Sequence, residues 1–185
     1  MQTWRHFWVE MEGTKYNFSS VQINLPEVIA NKIIAWGDKK IPERDVYQDE
    51  PGLGRENEIH TTVLYGLHTD RPDIVSDLLK KEQEFEIKLG PVSIFDTNTQ
   101  YDVVKIEVEG KELHRINTIL TNNCKHTNKF KKYSPHVTIA YIRKDTCKRL
   151  NGNKTFTGIT IPVKEMIFSS MNGKKTKFNL KQTSD

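Results

Sequence analysis

Two short segments carry the residues best suited to chemistry. Residues 60–65 read HTTVLY and residues 136–141 read HVTIAY, 76 positions apart. His60 aligns with His136, Thr62 with Thr138 and Tyr65 with Tyr141, while Val63-Leu64 aligns with Ile139-Ala140. Both segments are β-rich, and in a strand residues i and i+2 share a face. Each histidine therefore shares a face with its threonine. Strict alternation sends Tyr65 and Tyr141 to the other face, where they are expected to pack the core.

One imidazole and one hydroxyl from each of two strands suit the cleavage of a phosphodiester without metal. That reaction needs a general base to activate a hydroxyl or water and a general acid to protonate the leaving oxygen. Histidine has the ordinary pKa nearest neutrality, so a pair can fill both roles. Threonine hydroxyls can donate to the non-bridging phosphate oxygens as charge builds there. A lone His-x-Thr or His-x-Ser arises about once by chance in such a chain and carries little weight. The doubled motif with matched apolar tails is what singles out His60, Thr62, His136 and Thr138. The choice of base and acid stays open at this level. His6, His68, His114 and His126 fit no such pattern and read as structural or surface residues, and no zinc-type ligand spacing is present.

Several elements must position these side chains. Residues 4–12 read as a first strand. Pro26, Val28, Ile29, Ile33 and Trp36 have helical spacing, with Gly37 as a stop. Residues 38–58 hold two prolines and two glycines and read as a long functional or mobile loop. A buried strand over 59–66 follows, then a helix from Arg71-Pro72 to about Lys81. Residues 84–95 and 101–109 alternate as antiparallel strands. Residues 110–122 form a helix with Leu113, Ile116, Ile119 and Leu120 on one face, and a basic loop leads to a strand over 136–142. Residues 159–169 and 175–180 complete the set, joined by the Asn172-Gly173 turn, since Asn-Gly is a strong hairpin signal. This order predicts an α+β fold.

The chain has 185 residues with 28% charged and 36% hydrophobic, enough for one domain over 1–185. Its apolar runs are too short to span a membrane. Two cysteines, Cys124 and Cys147, build no disulfide framework. With no signal-peptide pattern at the start, a reducing cytoplasmic setting is expected. The net charge of +4 is uneven: residues 1–100 carry −6 and residues 101–185 carry +10. A basic half suits an anionic partner such as a nucleotide. Lys131 and Lys132, just before His136, are candidates to attract phosphate. Tyr47, Trp36 and Tyr133 are candidates to stack a nucleobase, with core packing as the alternative for each.

The two His-x-Thr motifs, their spacing and the chain length resemble the 2H phosphoesterase (LigT-like) superfamily. That resemblance implies two pseudo-symmetric lobes of antiparallel sheet and helices around a central cleft. It also implies His60 and His136 as the acid–base pair, with Thr62 and Thr138 binding phosphate. The run GLGRENEIHTTVLYG is similar to the phage anti-CBASS branch, which degrades the cyclic oligonucleotides that bacteria make as antiviral signals. By that resemblance the substrate is a cyclic di- or trinucleotide such as cGAMP, cut at 3′–5′ bonds in the host cytoplasm. Glu165 lies about where that branch places an acidic residue near the base. No cofactor, metal, membrane or obligate protein partner is implied, and a monomer is expected. Two alternatives remain. One is an enzyme acting on 2′,3′-cyclic phosphate or 2′–5′ linkages of short RNA ends. The other is a module that sequesters a nucleotide, for which a duplicated acid–base pair is unnecessary.

Overall fold

A computed structural model describes residues 17–128, 130 and 132–182. The strand expected over 4–12, with His6, lies outside the described residues. The elements are β1 (Ser19–Asn24), α1 (Glu27–Lys40), β2 (His60–Leu67), α2 (Pro72–Leu79), β3 (Phe85–Phe95), β4 (Tyr101–Glu109), α3 (Lys111–Asn123), β5 (His136–Arg143), β6 (Thr160–Val163), β7 (Glu165–Ser169) and β8 (Lys175–Asn179). The strands form one sheet in the order β6-β3-β4-β5-β2-β1-β7-β8, and every pairing between strands is antiparallel.

That order has an internal symmetry. Outward from the central β2–β5 pair, β1 and β4 come next, then β7 and β3, then β8 and β6. Helix α1 connects β1 towards β2, and α3 connects β4 to β5, so each half carries the same strand–helix–strand unit. β6 and β7 lie far apart in sheet order, yet only Lys164 separates them in sequence. One residue spans under about 4 Å, so the sheet must curl until its ends approach. The bridge between Gln83 and Lys181, with Lys181 N donating to Glu82 O at 2.8 Å, fastens those ends. The single strand expected over 159–169 is therefore two strands, one for each half.

β1 has no counterpart among the sequence expectations. Its SSVQIN sequence looks polar, but Val21 and Ile23 point into the core while Gln22 is buried on the other face. α1 also runs past the expected stop. Gly37 stays helical because it is a point of close approach: a Cβ there would lie 2.8 Å from Ile139 Cγ2. The helix stacks its face directly on β5 at that point. The loop after α1 is ordered along the free edge of β5. Tyr141 O accepts from Tyr47 N at 3.0 Å, Gly54 O accepts from Tyr141 N at 2.8 Å, and Ile139 O accepts from Glu56 N at 2.9 Å. The basic loop does the same for β2, with Thr127 N donating to Gly66 O at 2.9 Å and His68 N to Lys125 O at 3.0 Å. Gly66 has φ +89, and a Cβ there would sit 2.6 Å from Thr127 Oγ1, so only glycine admits this seam.

Candidate active site

The motif strands are neighbours at the centre of the sheet. They meet at Thr61 opposite Val137. In an antiparallel pair this register sets His60 across from Thr138, and Thr62 across from His136. Thr61 and Val137 are fully buried and face the core, so the four motif side chains share the opposite face. Beyond the junction the two strands part, each taking a loop on its free edge. The split opens a cleft above His60, Thr62, His136 and Thr138.

A bulge in each half overturns the strict alternation expected for the tyrosines. On one side Val21 pairs with Leu64 but Gln22 with Thr62, leaving Val63 extra. On the other, Val104 pairs with Ala140 but Lys105 with Thr138, leaving Ile139 extra. One additional residue reverses the face of all that follow. Ser20 opposite Tyr65 and Val103 opposite Tyr141 therefore put both tyrosines on the histidine face rather than in the core. Each bulge carbonyl is secured. Val63 O accepts from Asn117 Nδ2 of α3 at 2.7 Å, and Ile139 O takes the Glu56 amide.

The two imidazoles are held in the same way. His60 Nδ1 lies 2.6 Å from Glu58 O, and His136 Nδ1 lies 2.8 Å from Ser134 O. A carbonyl only accepts, so Nδ1 carries the hydrogen in both. Each Nε2 is left for the cleft, as a lone pair when the ring is neutral and as a donor when it is charged. Two equivalent rings with the same reactive nitrogen can exchange acid and base roles.

Their surroundings differ. Beside the first motif, β1 offers neutral amides: Gln22 lies opposite Thr62, Asn24 opposite His60, and Gln22 Nε2 donates to Asn24 Oδ1 at 2.7 Å. Asn24 Nδ2 donates in turn to Glu58 Oε1 at 2.7 Å, and Lys175 of β8 ion-pairs with the same carboxylate. Burial pushes the Glu58 carboxyl up, but the Lys175 and Asn24 hydrogen bonds and the Lys175 charge outweigh it and hold it below the usual carboxylate range. Glu56 sits near His60 and Tyr141. Burial raises its pKa, with only partial relief from the His60 charge. Beside the second motif, β4 offers charges instead, with Lys105 opposite Thr138 and Glu107 opposite His136. Lys105 is 2% exposed, ion-pairs with Glu107, and stands 4.1 Å over the Phe95 ring. Phe95 stands edge-on to His136 at 5.2 Å. Burial foremost, then the Lys105 charge, depress the His136 pKa against the pull of Ser134 O and Glu107.

The remaining sequence candidates are placed elsewhere. Tyr47 is 7% exposed and packs on Tyr101 at 5.3 Å, which in turn meets Tyr141 at 5.5 Å; it buttresses the cleft wall rather than offering a free face. Trp36, half-buried, packs edge-on against Phe156 at the margin of the core. Tyr133 is a strut: its hydroxyl donates to Thr62 O at 2.9 Å and its ring meets His114 at 5.4 Å. Lys132 is exposed in the loop before His136, and Lys131 lies outside the described residues. Glu165 of β7 ion-pairs with Lys177 of β8 at 2.7 Å, whereas Glu56 and Glu58 are carboxylates that interact electrostatically with His60. Sequence reasoning missed Glu56, Glu58, Asn24, Lys105, Glu107 and Phe95. The i, i+2 spacing of Lys105 and Glu107 was a usable signal, masked because alternating charges on a strand read as a solvated face. Among the described residues no group of three or more His, Cys, Asp or Glu could hold a metal ion. No helix there is long and apolar enough to cross a membrane.

Two matched halves of one curled antiparallel sheet with helices are the 2H phosphoesterase fold, the fold of phosphodiesterase-type enzymes. Solved structures of that class superpose on this one. TT0787 of Thermus thermophilus matches with a TM-score of 0.64 at 17% identity, covering 90% of this chain and 100% of that one. E. coli LigT in apo form gives 0.58 at 17% identity over 90% and 98%, and LigT is also known complexed with 3′-AMP. Kluyveromyces marxianus Usb1 gives 0.57 at 8% identity over 89% and 98%, and it too is known with uridine monophosphate. No curated protein matches the sequence. Residues 21–177 match the family described as anti-CBASS protein Acb1, and the chain belongs to that family.

Proposed function

We propose that this phosphodiesterase cuts the 3′–5′ bonds of cyclic di- or trinucleotide immune signals, with His136 and His60 as the acid–base pair. The observation that carries this reading is the identical tethering of both imidazoles, each with Nδ1 on a carbonyl two residues back and Nε2 left to the cleft. Membership of the anti-CBASS family supports a signalling nucleotide as the substrate. The nucleotides held by LigT and Usb1 on the same fold support a nucleotide ligand.

In the first step His136 Nε2 takes the proton of the ribose 2′-hydroxyl. Burial and the adjacent Lys105 favour its neutral form, which suits a base. The 2′-oxygen forms a bond to phosphorus as the P–O5′ bond breaks on the opposite side. His60 Nε2–H gives its proton to the departing O5′. With His136 as the base, the acid role falls to His60, the ring beside Glu56 and Glu58. Thr62 and Thr138 hydroxyls donate to the non-bridging oxygens, where charge accumulates. The product is a linear nucleotide with a 2′,3′-cyclic phosphate and a free 5′-hydroxyl. Its hydrolysis runs in the reverse sense: His60, now neutral, activates water, and His136, now protonated, returns the proton to the leaving ribose oxygen.

The test is incubation of the full chain in EDTA with 3′,3′-cyclic GMP-AMP, cyclic trinucleotides and a short RNA ending in a 2′,3′-cyclic phosphate. Linearised cyclic nucleotide is the expected product. Opening of the RNA end alone would overturn the substrate assignment in favour of RNA-end processing. Tight binding without turnover would overturn the enzymatic reading.

A further inference from the structure

We propose that Lys105 and Glu107 are a positioning pair for His136: a buried cation over Phe95, the ring that meets this imidazole, in one half only of a matched site, readies His136 to accept a proton. This deepens the proposed function and rests on it for the meaning of the proton.

The fold does not require charge at these positions. Lys105 and Glu107 face Thr138 and His136 across β4–β5, as Gln22 and Asn24 face Thr62 and His60 across β1–β2. Both halves carry the same bulge, yet the first builds it beside two neutral amides that bond to each other. Taking an ion pair out of water is unfavourable, and apolar replacements often hold a fold equally well. The ammonium of Lys105 is nevertheless sealed, with its side chain 3% exposed, while Glu107 remains 35% exposed. The asymmetry leaves the cation buried and lets its partner be partly hydrated. Glu107 is fixed further by Ser93 Oγ, which donates to Oε1 at 2.5 Å.

The pair reaches His136 by two routes. Glu107 is its direct cross-strand neighbour. Lys105 lies over the face of Phe95, whose ring stands edge-on to the imidazole, so Phe95 touches both the cation and the imidazole. The charged or titratable groups acting on His136 are Lys105 and Glu107 from β4 and His60 from β2, with Ser134 O on its Nδ1. Two of the three charges oppose a proton on His136, and Glu107 alone favours one.

The test follows the titration of His136 directly, from the NMR shifts of its ring, in the full chain and in Lys105→Met and Glu107→Gln variants. The kcat/KM pH profile on a cyclic dinucleotide is recorded alongside. Lys105→Met removes the repelling charge, so the His136 titration and the acidic limb of activity should both rise by about one pH unit. Glu107→Gln leaves the cation unbalanced, so both should fall. Opposite shifts are the signature, because a merely structural pair would move both variants the same way or neither. Should Lys105→Met fail to fold, Glu107→Gln, at a partly hydrated position, carries the test alone, and a rise or no movement overturns the proposal. If the titrations shift as expected but no substrate is cleaved, the enzymatic reading fails and the positioning pair stands.

Discussion

Replacing each histidine and changing the leaving atom separates acid from base. His60→Ala removes the proton donor to O5′, and His136→Ala removes the acceptor from the 2′-hydroxyl. One general acid or base contributes about 10²–10⁴ in rate, equivalent to about 2.7–5.4 kcal/mol of transition-state stabilisation. Both variants should lose at least that much on a natural cyclic dinucleotide, since the two rings work as a pair. A substrate with sulfur in place of the bridging 5′-oxygen alters only one half of the problem. A thiol loses its proton near pH 8.5, as cysteine does, so a thiolate departs without an acid at about that cost in basicity. The His60→Ala variant should regain most of its lost rate on this substrate, to within about tenfold of the unmodified chain. The His136→Ala variant should stay as slow as before. The assay is single-turnover cleavage in EDTA, read by thiol release. Rescue of His136→Ala in place of His60→Ala would refute the assignment of His136 as base from its burial and Lys105. Rescue of neither would refute the leaving-group role altogether.

Three further outcomes concern how the cleft is held. Asn117→Leu keeps the volume but orphans the bulge carbonyl of Val63, and should destabilise by about 1–3 kcal/mol in urea unfolding; a loss below half of the lower figure would mean that water replaces the amide. Gly37→Ala improves helix propensity yet brings a Cβ to 2.8 Å from the buried Ile139 Cγ2; overpacking of about 1–3 kcal/mol should win over the propensity gain and lower the Tm, and a raised Tm would show that β5 yields. The carboxyls of Glu58 and Glu107 are held below their ordinary value of 4.5 in the folded chain. Their stabilisation is therefore present above about pH 4.5 and lost as pH falls through the folded values. A Glu58→Gln/Glu107→Gln chain should show a flatter stability curve than the parent between neutral and acidic pH, and parallel curves would rule the linkage out.

Much of the site was legible because its chemistry is local. The i, i+2 rule alone places His60 with Thr62 and His136 with Thr138, and the Asn172-Gly173 signal matches the turn between β7 and β8. Helix α3 follows its apolar spacing closely, burying Leu113, Ile116 and Leu120. β1 was illegible because its serines, glutamine and asparagine gain their burial from neighbours far along the chain. The end of α1 was misread because Gly37 answers to Ile139, about a hundred residues away in sequence. The stacking candidates follow from place in the sequence: Tyr47 in the loop before the first motif, Trp36 near the end of the first helix and Tyr133 just before the second motif. Place in the sequence does not decide whether a ring faces the cleft or packs beneath it.

The sequence by itself determined which residues are paired, their common strand conformation and their chemical type, because those depend on composition and on a two-residue period. The tertiary structure alone decided that the two motifs meet at Thr61 and Val137, and that bulges turn Tyr65 and Tyr141 into the cleft. It alone decided that Lys105 is buried beside one histidine while neutral amides flank the other. Register, bulges and burial arise between strands far apart in the chain, where local periodicity carries no information. The same distinction separates two histidines that are equivalent in sequence into a proposed base and a proposed acid.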